Sequence, residues 1–95
     1  MIPQLLLYSR KDCCLCDAMK EVIRRVAERT PLALKEIDVD GAPEARERYG
    51  EEVPLLYIDG RKAFKYRVTA RQLERRIAGK VPFMKTFTRR IFNRP

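Results

Sequence analysis

The sequence predicts an α/β fold with the element order β-α-β-α-β-β-α, and three observations carry that prediction. The apolar run Leu5-Leu6-Leu7-Tyr8 is followed by Cys13-Cys14-Leu15-Cys16 and then by apolar residues at helical spacing, Leu15, Met19, Val22, Ile23 and Val26. Leu32 to Val39 alternates as a half-buried strand does. Asp59-Gly60 stands between two further strand-like runs and is the strongest short hairpin signal.

Each element follows in order. Residues 3–9 read as a buried strand and residues 13–29 as an amphipathic helix that Pro31 ends. Residues 32–39 form the second strand. Asp40-Gly41-Ala42-Pro43 is turn chemistry, and Pro43 suits the first turn of a short helix across Glu44–Tyr49, stopped by Gly50. Val53–Ile58 is a third strand that starts at a proline, and Arg61–Tyr66 returns beside it. Thr69-Ala70-Arg71-Gln72 has the form of a capping box. It opens a last helix with Leu73 and Ile77 inward, closed by Gly79.

Ninety-five residues, 45% of them hydrophobic, suit one small folded domain and argue against a disordered chain. The first apolar run is far shorter than a membrane span and lacks the flanks of a signal peptide, so a cytoplasmic, reducing setting is expected. The net charge of +8 is uneven. Residues 1–79 hold 16 Lys/Arg against 13 Asp/Glu, whereas residues 80–95 hold five basic residues and no acid. The reading is a domain over 1–79 and a basic C-terminal tail over 80–95. Such a tail suits a solvated extension, or one that meets nucleic acid, anionic lipid or an acidic partner. Its aromatics, Phe83, Phe87 and Phe92, suit packing back onto the domain.

Three clustered cysteines in a reducing setting point to redox or metal chemistry rather than a structural disulfide framework. Cys13 and Cys16, three apart at a helix start, share one face with Cα atoms roughly 5 Å apart, within reach of a disulfide. The unpaired N–H groups and dipole of that helix end favour a thiolate. Arg10 and Lys11 add positive charge just before Cys13, so Cys13 is the expected nucleophile, with a thiol pKa below its ordinary value. Cys16, one turn further in, is the resolving thiol. Cys14 points to another side of the helix and reads as a spectator. With no histidine and a single cysteine cluster, one chain cannot close a four-ligand zinc site. An iron–sulfur centre shared between two chains remains as a metal alternative. Asp38 and Asp40 read as turn and strand-end residues.

Strand, turn, Cys-x-x-Cys, helix, with Val53-Pro54 opening the third strand, resembles the thioredoxin fold. Tyr8-Ser9-Arg10, Cys13-Cys14-Leu15-Cys16-Asp17, Asp38-Val39-Asp40, Tyr49-Gly50, Val53-Pro54 and Asp59-Gly60 together resemble a small glutaredoxin-like family long catalogued as a domain of unknown function. The resemblance covers residues 3–79 and implies a four-stranded mixed sheet with helices on both faces. It also implies a cis Val53–Pro54 bond facing the dithiol, with Val53 offering its backbone to a substrate strand. The implied activity is thiol–disulfide exchange through Cys13 and Cys16, with no resident cofactor and an external reductant. The second class of reading is a non-enzymatic binding module of the same fold that docks partners through its basic tail.

The chain departs from the families it resembles at two places. It has no Trp before the motif, and Cys14-Leu15 stands where thioredoxins have Gly-Pro and glutaredoxins Pro-Tyr. Phe64–Thr69 lacks the Gly-Gly-x-Asp-like turn with which glutaredoxins hold a glutathione carboxylate. Arg10, Lys11, Arg67 and Arg71 are the candidates to receive glutathione or an acidic substrate instead. Glutathione recognition is therefore expected to be weak and salt-sensitive, with protein disulfides the better substrates.

Overall fold

A computed structural model describes residues 2–78 of the chain. The expected closure of the last helix by Gly79 and the basic tail over 80–95 lie outside the described residues.

Four strands form one sheet in the order β2-β1-β3-β4: β1 Gln4–Ser9, β2 Ala33–Asp38, β3 Leu55–Ile58 and β4 Arg61–Lys65. β1 pairs parallel with β2 and antiparallel with β3, and β3 pairs antiparallel with β4, so the sheet is mixed. Helices α1 (Cys14–Ala27), α2 (Pro43–Tyr49) and α3 (Ala70–Ala78) complete the expected element order.

The side-chain period of two sorts β1 between two faces. Leu5 and Leu7 join Leu56 and Ile58 of β3, and α1 and α3 cover them with Met19, Ile23, Val26, Leu73 and Ile77. Tyr8 faces the other way, where α2 brings Tyr49 to a ring separation of 4.5 Å and Tyr57 packs edge-on at 5.9 Å. Helices therefore lie on both faces.

The strand and helix ends moved by a few residues for local reasons. Val53 and Pro54 stay outside β3; Pro54 has no N–H to give a ladder, although its carbonyl accepts from Tyr66 N at 2.8 Å. Tyr66 leaves β4 because its backbone turns to φ 69°. Val39 leaves β2 for a short 3-10 turn over Val39–Gly41, where the Asp38 carboxylate accepts from Asp40 N. α2 starts at Pro43 itself. Gly50 ends that helix without entering the left-handed region; a Cβ there would stand 2.5 Å from the Arg46 carbonyl oxygen. The hairpin turn has Asp59 at φ 50° and Gly60 at φ 84°, the two positive values that the two-residue turn requires. The capping box is formed in both directions: Gln72 N donates to Thr69 Oγ1 and Thr69 N to Gln72 Oε1.

Below the first turn of α1, the buried Ser9 hydroxyl donates to Glu36 at 2.6 Å, and Lys20 Nζ lies 2.9 Å from the same carboxylate. The Ser9 hydrogen bond, and then Lys20, hold the Glu36 carboxyl below its ordinary value, while Glu36 raises the Lys20 ammonium. A lowered folded-state carboxyl pKa gives stability that is complete above the unfolded value of about 4.3 and lost as pH falls through the folded one. A raised lysine pKa gives stability that is complete below about 10.4 and lost as pH rises through the folded value. Glu36→Gln should thus cost up to about 1 kcal/mol at neutral pH, because the group is part-exposed. Urea unfolding across pH checks this: the gap between variant and parent should shrink at strongly acidic pH. A gap that stays constant there would place its origin outside the charge.

Candidate functional site

The β1–α1 connection is short, and it sets the redox motif at the tip of a helix whose rear is locked in the core. Asp12 takes a positive φ of 54°, a conformation that aspartate tolerates, and Cys13 then sits extended at the N-cap. Cys13 and Cys16 are joined by a disulfide with Cα atoms 5.2 Å apart, as the helical spacing predicts. Cys16 N donates to Cys13 Sγ at 3.1 Å, and Asp17 N to the Cys13 carbonyl at 3.0 Å. Cys16 is fully buried, Cys13 is half-buried, and Cys14 is free and exposed. This ranking of access is the one that an attacking and a resolving thiol need.

The Cys16 N–H is aimed at Cys13 Sγ. A backbone N–H at a helix start favours a thiolate there.

Of the four cations expected to receive a substrate, one is already paired within the fold. Arg10 is engaged: Nη2 and Nε meet the Asp40 carboxylate at 3.0 and 3.4 Å, and Nη1 donates to the Gly50 carbonyl at 3.1 Å. The pair holds the Asp40 carboxyl below its ordinary value. Arg10 thereby ties the redox loop to the end of α2. Lys11, Arg67 and Arg71 are exposed and make no ion pair among the described residues. The Val53–Pro54 peptide bond is cis, Val53 is half-buried and Pro54 is buried. Among the described residues, no group of three or more His, Cys, Asp or Glu side chains converges as a metal site. No described helix is long and apolar enough to cross a membrane.

Of the stripe read from the sequence, Met19, Ile23 and Val26 are buried together with Cys16, and Val22 is half-buried and packed against the core. Leu15 and Val22 sit at its rim, half-buried, and with Ala18, Tyr66, Arg67 and Gln72 they line a hollow of about 210 Å³. The hollow therefore begins inside the Cys-x-x-Cys motif. Gln72 and Tyr66 are the residues sequence reasoning missed: the capping box marked Gln72 only as a helix start, and nothing in the pattern around Tyr66 signals its positive φ. A larger hollow of about 480 Å³, lined by Tyr8, Ile37, Pro43, Arg48 and Tyr49, lies on the α2 face.

The comparisons with known proteins agree with this geometry. An uncharacterized Mycobacterium tuberculosis protein, Rv0508, is 28% identical over 81 residues, covering 80% of this chain and 84% of that protein. The X-ray structure of the protein XcR50 from X. campestris is similar with a TM-score of 0.64 and 28% identity, covering 79% of this chain and 96% of that one. A mutant thioredoxin from Halobacterium salinarum is similar with a TM-score of 0.60 and 26% identity, covering 83% of this chain and 74% of that one. The fold is thioredoxin-like, and it supports a redox-type function. The family model described as "Glutaredoxin-like domain (DUF836)" matches residues 4–78, almost all that the structure describes, and the chain belongs to that glutaredoxin-like family.

Proposed function

We propose that the protein is a thiol–disulfide oxidoreductase working through Cys13 and Cys16. The observation that carries this reading is the Cys13–Cys16 bridge at the start of α1, with the Cys16 N–H on Cys13 Sγ and Cys14 left out of the bridge. In the reducing direction, the Cys13 thiolate attacks one sulfur of a substrate disulfide. That S–S bond breaks, its other sulfur leaves as a thiolate and takes a proton, and a mixed disulfide joins Cys13 to the substrate. The Cys16 thiolate, having lost its proton to solvent, then attacks Cys13 Sγ. The mixed disulfide breaks, the second substrate sulfur leaves, and the Cys13–Cys16 bridge closes. Two electrons have passed from the protein dithiol to the substrate, and an external thiol reductant returns them. Val53 and Pro54 would present backbone to the substrate chain, and Lys11 and Arg67 would receive its charge.

Equilibration with glutathione buffers, followed by alkylation and mass analysis, tests the reading. Two thiols should disappear together in one two-electron step, mapping to Cys13 and Cys16, while Cys14 remains alkylatable throughout. Cys14→Ser should leave that equilibrium constant within about twofold, since Cys14 takes no part in the bridge. An intramolecular bridge that maps mainly to Cys14, or no bridge at any poise, would remove the proposal.

A further inference from the structure

The charge of the described chain is divided between two parts of the fold. Residues 1–60 carry nine Lys/Arg against twelve Asp/Glu, whereas residues 61–78 carry seven against one, Glu74. The seven are Arg61, Lys62 and Lys65 on β4, Arg67 in the following loop, and Arg71, Arg75 and Arg76 on α3, and all are exposed. Even the single acid is occupied, by Arg29 of the α1 end at 2.6 Å. Of the seven cations, Lys62 alone meets a carboxylate among the described residues, Glu52 at 3.3 Å. Lys62 and Lys65 pair with Tyr57 and Leu55 and so point to the α2 side of the sheet, whereas Arg61 pairs with Ile58 on the α3 side; the α3 arginines with Arg67 and Arg61 therefore form a basic face with no ion pair among the described residues.

That face is continuous with the redox site. Phe64, Gln72, Arg75 and Arg76 line a shallow cleft between β4 and α3. Gln72 also lines the apolar hollow that starts at Leu15, and Arg67 stands on the same hollow's rim. A chain lying in the hollow can run on past Gln72 into the basic cleft.

We propose that this β4–α3 face docks an acidic, disulfide-bearing polypeptide, whose apolar side chain enters the Leu15–Val22 hollow while its carboxylates meet Arg67, Arg71, Arg75 and Arg76. The proposal rests on the exchange chemistry above and names the substrate class for that same site. Five of the seven cations are arginine, whose planar fork pairs carboxylates through two hydrogen bonds. The aromatic rings here each carry a cation. The Arg76 guanidinium lies 5.0 Å from the Phe64 ring centre and Lys65 Nζ 5.3 Å from that of Tyr66. An apolar hollow that opens inside Cys-x-x-Cys suits a side chain beside a disulfide, and a nucleic acid has neither. The net negative remainder of the fold turns an acidic partner towards this one face.

The test uses the full-length reduced protein and three synthetic peptides that share one disulfide-closed loop and an apolar residue beside it. Their flanks are glutamate, glutamine or lysine, and a small uncharged disulfide serves as the reference substrate. At low ionic strength the acidic peptide should be reduced about tenfold faster than the neutral one, with the basic peptide slowest, and high salt should collapse the spread. In Arg71→Gln/Arg75→Gln the acidic-to-neutral rate ratio should fall towards one; Arg67→Gln/Arg71→Gln provides a second variant should the first not fold. Three equal rates would overturn the docking surface and leave the dithiol chemistry standing. An acidic preference that survives both variants would overturn it equally. Exchange with none of the four disulfides would overturn the underlying chemistry and the docking surface with it. Displacement of the acidic peptide by a single-stranded RNA oligonucleotide at lower concentration and equal salt would assign the face to nucleic acid and end the proposal.

Discussion

Cys13→Ser should reduce disulfide exchange to the background of the assay, a loss of more than about a hundredfold. A serine hydroxyl is not a nucleophile at neutral pH without a base beside it, and this chain has no histidine to act as one. Cys14 cannot replace it: its thiol is exposed, but it lies one position further along α1 and outside the line from Cys16 N to Cys13 Sγ. Cys16→Ser separates the two halves of the cycle. The first attack should still occur, and the mixed disulfide at Cys13 should accumulate because no thiol remains in position to displace it. Mass analysis of the protein after mixing with a disulfide-bearing peptide reads both results. Full activity in Cys13→Ser, or a mixed disulfide trapped on Cys14 in Cys16→Ser, would overturn the assignment of roles.

Leu7→Ala should be the most destabilising of the single substitutions considered, at about 2–5 kcal/mol. Leu7 is fully buried in β1, which has β2 on one side and β3 on the other, in the core cluster with α1, the helix that carries the redox motif. Its partner across the antiparallel ladder, Leu56, is also fully buried, so little can move in to fill the space. A small domain has only about 5–15 kcal/mol of net stability, and each 1 kcal/mol shifts its melting temperature by about 4–8 °C. A fall in melting temperature of about 8 °C or more is therefore expected by calorimetry, in the reduced and in the oxidised protein alike. A fall of less than about 4 °C would show that β1 is not the centre of the core.

The elements that repeat a simple period were legible from the chain. The alternation of Leu5 and Leu7, the helical stripe through Met19, Ile23 and Val26, the Asp59-Gly60 turn and the Thr69–Gln72 cap all act through near neighbours in sequence. Arg10 was the opposite case. Its sequence position beside Cys13 suggested a cation for substrate, but Asp40 and Gly50 are 30 and 40 residues away and meet it only in the folded chain. Within the stripe as read, Leu15 and Val22 are as apolar as the residues that are buried, so only the packing of α1 against the sheet and α3 leaves them half-buried.

The local pattern alone determined the fold class, the element order and the pairing of Cys13 with Cys16, since a disulfide between residues three apart depends on a single turn of helix. The tertiary structure decided what surrounds that bridge. It occupied Arg10, opened the hollow at Leu15 and brought Phe64 of β4 beside Arg75 and Arg76 of α3, next to the hollow that Arg67 lines. Such neighbours come from chain crossings between distant segments, and no short-range period in the sequence encodes where those crossings fall.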